Sequence, residues 1–106
     1  MHTYNDIADN MFKTVGQSIG IHVMLLVVEH ALWKTKQRYE EADLIKYSED
    51  GIFLEGLKKL EPDKAKVLAH EFIMQVIASL GRLVGKQIAH QLIKQLHEEV
   101  IKEKGE

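Results

Sequence analysis

Apolar residues recur at steps of three and four from the start of the chain. Ala8, Phe12, Val15, Ile19, His22, Leu26, His30 and Trp33 fall on one stripe of a 3.6-residue helix. The pattern predicts a first helix that is buried along this stripe. Around its centre, Val23, Met24, Leu25, Val27 and Val28 point in nearly all directions. A helix that is apolar all round is buried all round, so Val23–Val28 is expected to be wrapped in protein on every side.

Leu44 and Tyr47 continue the stripe loosely, which extends the expected helix to about residue 47. Ser48-Glu49-Asp50-Gly51 is the clearest break, with Gly51 as a C-cap and Asp50 as the cap of the next helix. Leu54, Leu57 and Leu60 then predict a short amphipathic helix. A rival reading pairs Leu44–Tyr47 with Ile52–Leu54 as a hairpin around Glu-Asp-Gly; the leucine spacing favours the helix. Glu61-Pro62-Asp63 reads as a helix start. Proline at the first helical position gives up only an N–H that has no partner there, and acidic neighbours suit the helix dipole. Ala65, Leu68, Ala69, Phe72, Ile73, Val76 and Leu80 form its expected buried face. A last helix, Lys86 to Lys102, is expected to bury Ala89, Leu92, Ile93, Leu96 and Val100, with a frayed end beyond it.

The expected fold is therefore all-α: one domain over 1–106, a bundle of four to five helices with a long N-terminal helix. An unbroken helix over 5–38 would be about 50 Å long. A compact chain of this size has a diameter near 33 Å. The overhang would expose apolar surface, and this predicts a homodimer built around the first helix. Two glycine pairs qualify that picture. Gly16 and Gly20, and Gly81 and Gly85, are each four apart, which places each pair on one helix face and lets another backbone approach. A tight helix crossing is the expectation for the first pair. For the second, a crossing and a simple turn between helices are both open. Gly81-Arg-Leu-Val-Gly85-Lys86-Gln87 is not a phosphate loop: the glycine spacing is one residue short, Gln87 stands where Ser or Thr should be, and no strand precedes it.

Composition narrows the chemistry. The 106 residues are 45% hydrophobic and 28% charged, with a formal charge of −2, which is ordinary for a globular domain. Residues 1–50 carry 5 basic and 8 acidic groups, and residues 51–106 carry 9 and 8. Neither half has the clustered cations that nucleic acid requires. The mixed run at Trp33, Lys34, Lys36, Arg38 and Tyr39 is neutralised by Glu40, Glu41 and Asp43. Cysteine is absent, so disulfides, thiolate metal sites and thiol nucleophiles are excluded. The first ten residues are polar and acidic, unlike a secretion signal. No apolar run approaches the roughly 20 residues of a membrane span. A cytoplasmic location is expected, with no membrane and no nucleic-acid partner.

Six histidines invite a search for a site. Apart from the terminal His2, with Asp6 four residues on, none has His, Asp or Glu at the three- or four-residue offsets by which one helix chelates a metal, so no metal and no cofactor are expected. His22 and His30 lie on the expected buried stripe, eight residues and about 12 Å apart. They read as core imidazoles. The sharper alternative is a small-molecule or haem sensor pocket bounded by His22, Glu29, His30 and Trp33.

His70-Glu71-Phe72, with Leu80-Gly81 ten and eleven residues on, resembles the phosphoacceptor helix of sensor histidine kinases. The resemblance implies His70 as phosphoacceptor and Glu71 as the neighbouring base. It covers about twelve residues. Gln75 and Val76 stand where that family often has proline and leucine. The three serines, Ser18, Ser48 and Ser79, lack a nucleophile-elbow setting. Adjacent carboxylates such as Glu40-Glu41 and Glu98-Glu99 diverge on a helix and read as solvated. The leading expectation is a non-enzymatic regulatory or protein-interaction module that forms a homodimer, with a further protein partner open. Phosphotransfer by His70 and a ligand pocket at His22/His30/Trp33 are the alternatives.

Overall fold

A computed structural model describes residues 2–87 together with 90, 91, 94 and 98. It is mostly helical. Helix α1 (His2–Ile19) and helix α2 (Ile21–Arg38) lead through a 3-10 turn at Glu40–Leu44 to a hairpin of β1 (Lys46–Ser48) and β2 (Gly51–Phe53). A second 3-10 turn, Glu55–Lys59, precedes helix α3 (Pro62–Val84). Described residues after Gly85 are again helical; the apolar positions of the expected last helix lie outside the described residues. The mostly helical fold agrees with the helical expectation; among the described residues three α-helices are complete, and one short antiparallel hairpin is added to them.

The long N-terminal helix is corrected. Gly20 breaks it with φ +95° and ψ 146°, a conformation that side chains rarely adopt. Its N–H still donates to the Gly16 carbonyl at 2.8 Å, closing α1, and its carbonyl accepts from the Met24 N–H at 3.1 Å, opening α2. The break re-phases the buried face. Helix α1 buries Tyr4, Ile7, Ala8, Met11, Phe12 and Val15. Helix α2 buries Met24, Val27, Val28, Ala31, Leu32 and Thr35. The set is displaced by two positions from a straight continuation, about 200° around a helix axis. So the first half of the predicted stripe is core, while His22, Leu26, His30 and Trp33 face solvent. Val23–Val28 is not enclosed: Met24, Val27 and Val28 are buried, but Val23 and Leu26 are exposed. The overhang disappears too, since the molecule measures 34 × 30 × 24 Å.

Residues 44–54 follow the rival reading. Lys46, Tyr47 and Ser48 pair with Phe53, Ile52 and Gly51. The period-two signal is present in the sequence: Ile45, Ile52 and Leu54 are buried, whereas Lys46 and Phe53 are exposed. The leucine spacing that suggested an α-helix is instead that of a 3-10 turn, with three residues per turn. Leu57 N–H donates to the Leu54 carbonyl and Leu60 N–H to the Leu57 carbonyl, both at 3.0 Å.

Helix α3 starts at Pro62 as expected and supplies the centre of the core: Leu68, Phe72, Ile73, Val76, Ile77 and Leu80 are all fully buried. Helix α2 packs along it. Arg38 at the end of α2 pairs with Glu71 at 3.0 Å, and Lys64 pairs with Glu41. Helix α1 and the hairpin close the remaining sides.

Candidate functional site

The re-phasing at Gly20 leaves α2 with a solvent face that is unusually apolar. Leu26 is 64% exposed, Trp33 59% and Val23 38%. At 100° per residue, Leu26 and Trp33 lie within about 20° of each other around the axis, with His22 and His30 to either side. Trp33 stacks on His30, with ring centres 6.2 Å apart and planes 25° from parallel.

Beside this face runs an open groove of about 540 Å³ between α2 and β1. Helix α2 contributes Leu26, Glu29, His30, Trp33 and Lys36 to it. Leu32 forms part of its wall and Tyr47 of β1 another. The hairpin is what brings Tyr47 here. Of the residues singled out from sequence, the structure brings Glu29, His30 and Trp33 together. His22 is exposed and is not among the residues lining the groove. Neither histidine of the pair is a core group. Sequence reasoning missed Leu26, Lys36 and Tyr47. Lys36 was detectable, since Glu29, Trp33 and Lys36 follow one another at helical spacing. Tyr47 was not, because its place depends on the hairpin.

Two ion pairs involve charged groups in and near the groove. The Lys36 ammonium lies 2.9 Å from Asp43. Hydrogen bonding from Lys36 holds the Asp43 carboxyl below the usual carboxylate range. Lys64 does the same to Glu41, and Glu41 in turn raises Lys64. A smaller groove of about 370 Å³ sits at the α1–α2 corner, lined by Lys13 of α1 and by Glu49 and Asp50 of the hairpin turn.

His70 is half-buried on α3, its ring edge-on to Tyr4 of α1 at 6.1 Å. Glu71 is engaged elsewhere: its Oε1 accepts from Arg38 and, at 3.3 Å, from Gln75. Gly16 sits at the α1–α2 corner, where an added Cβ would lie 3.9 Å from Met24. Among the described residues, an added Cβ at Gly20 or Gly85 meets nothing within 4 Å. These two glycines stand at helix ends, Gly20 between α1 and α2 and Gly85 after α3. Gly81 lies inside α3, and its carbonyl accepts the Gly85 N–H at 3.2 Å.

Among the described residues, no group of three or more His, Cys, Asp or Glu is placed to hold a metal ion, and no helix is long and apolar enough to cross a membrane. Comparison of the chain with protein families, with curated proteins and with solved structures returns no match.

Proposed function

We propose that the chain is a non-enzymatic interaction module that forms a homodimer through the solvent face of α2. The observation that carries this reading is the exposure of Leu26 and Trp33 side by side on a helix whose opposite face is already satisfied by the core. A tryptophan buries about 150–250 Å² when covered and is the side chain most enriched at the energetic centres of interfaces. Contiguous apolar surface rimmed by polar groups marks association sites. The support for a dimer is thus a face of α2, in place of the overhang first expected. A cytoplasmic location belongs to the same proposal, as does a fourth helix after Gly85. The cysteine-free sequence is compatible with a reducing compartment, and the helical state of residues 86, 87, 90, 91, 94 and 98 supports the added helix.

The test is native mass spectrometry with light scattering across a concentration series, for the wild type and for Leu26→Asp and Trp33→Ala. A wild-type dimer that both substitutions convert to a folded monomer is the expected result. A wild type that is monomeric at every concentration overturns the proposal.

A second reading has one observation in its favour. The groove beside Trp33 falls within the roughly 300–1,000 Å³ range of small-molecule sites, and the stacked His30 and Trp33 rings would suit a planar ligand. Retention of a non-protein mass in the same native spectra distinguishes it. Phosphotransfer by His70 draws no comparable support, since the Glu71 carboxylate is occupied by Arg38 and Gln75.

A further inference from the structure

The groove holds a charge pattern that is its own complement. Glu29, Trp33 and Lys36 stand at i, i+4 and i+7 on α2, and all three line the same groove. The acid lies about one turn before the tryptophan and the base about one turn after it. Glu29 and Lys36 are about 10.5 Å apart along the axis, so they do not neutralise each other within one chain. Lys36 is held by Asp43, but an ammonium has three donors and its side chain keeps 43% of its surface in solvent.

We propose that two copies of the chain pair through α2 in antiparallel orientation, about a two-fold axis level with Trp33. This rests on the self-association reading above and assigns its geometry. An axis between positions 32 and 33 places Glu29 of each copy level with Lys36 of the other, and does so twice. Both groups lie on the groove side of the helix, and such an axis keeps that side common to the two copies. The two Trp33 side chains then meet near the axis, offset by about 1.5 Å. Each enters the groove walled by Leu32 and Tyr47 of the other copy. Such a contact is isologous, one patch used twice. A parallel pairing, about an axis along the helices, would instead put the two groove sides on opposite sides of the contact and form neither Glu29–Lys36 pair. Burial of Trp33 supplies the attraction. The exposed ion pairs add little energy and set orientation and register.

The absence of native cysteine makes the test direct. Glu29→Cys and Lys36→Cys each introduce a single thiol at an exposed position of the full chain. Each variant is allowed to exchange subunits under reducing conditions, alone and in equimolar mixture, and is then oxidised mildly. In the mixture one Glu29–Lys36 pair is kept while the other becomes two thiols. Several-fold more disulfide-linked dimer in the mixture than in either variant alone is the expected result. As much linked dimer from either variant alone as from the mixture overturns the proposal. If no sample links while the wild type still has a dimer mass, the interface lies on another face; the proposal falls and the self-association reading stands. If the wild type is a monomer whose α2 face is covered by its own residues beyond Gly85 or by a foreign protein, both fall.

Discussion

Gly20 and Gly85 share one backbone conformation: φ 95° and ψ 146° at the first, φ 109° and ψ 156° at the second. Each stands four residues after another glycine whose carbonyl accepts its N–H. The two Gly-x-x-x-Gly segments are thus equivalent helix stops. An alanine at Gly20 would meet no steric obstacle from neighbouring elements, so its cost is conformational. We expect Gly20→Ala to lose about 1–3 kcal/mol of stability, read from chemical denaturation. A neutral or stabilising result would mean that the α1–α2 corner can straighten, and the long first helix would return.

Gly56 presents the opposite case. Its φ is unremarkable, but an added Cβ would overlap the backbone carbonyl oxygen of Leu44. A carbonyl in a 3-10 turn cannot swing aside as a side-chain tip does. Gly56→Ala should therefore destabilise by about 1–3 kcal/mol, the range of overpacking. Equal denaturation midpoints for variant and wild type would show that the two 3-10 turns do not pack as described.

The two faces of α2 should respond differently to truncation. Val28 is fully buried and Leu26 is 64% exposed. Val28→Ala leaves a cavity and should cost roughly 1–3 kcal/mol. Leu26→Ser should leave monomer stability within about 0.5 kcal/mol while weakening self-association. Both readings come from denaturation at low protein concentration, where the monomer prevails. Equal losses at the two sites would contradict the re-phased helix.

Acid should remove the support that Lys36 and Lys64 give. Hydrogen bonds from these ammoniums hold Asp43 and Glu41 below their ordinary values. A carboxyl that is lower in the folded than in the unfolded chain adds stability above its unfolded pKa, about 4. That contribution fades as pH falls through the folded value. The wild-type thermal midpoint should accordingly drop more steeply below about pH 4 than that of a Lys36→Gln, Lys64→Gln double variant. Both pairs are solvent-facing, so salt should narrow the difference. Identical acid profiles at low salt would remove these pairs from the account of stability.

Local chemistry is legible in the chain itself. Pro62 with its acidic neighbours opens α3, and the three- and four-residue spacing from Ala65 to Leu80 marks its buried face; both depend only on residues a turn or two away. Helical character, the lack of thiol chemistry and the want of a single-helix metal motif come from the same short range. Other features were present but ambiguous: Leu54, Leu57 and Leu60 suit a short α-helix or a 3-10 turn, and Ile45 with Ile52 suits a helix end or a hairpin. Periodicity over so few residues does not separate them. Tertiary structure settled what depends on the direction of a helix axis. Whether Gly20 continues a helix or turns it is a matter of about one to three kcal/mol locally, and the burial of Met24, Val27 and Val28 in the core outweighs that. Once the axis turns there, every later side chain changes face. Leu26 and Trp33 move from expected core to surface for that reason, and Tyr47 arrives beside them across the hairpin.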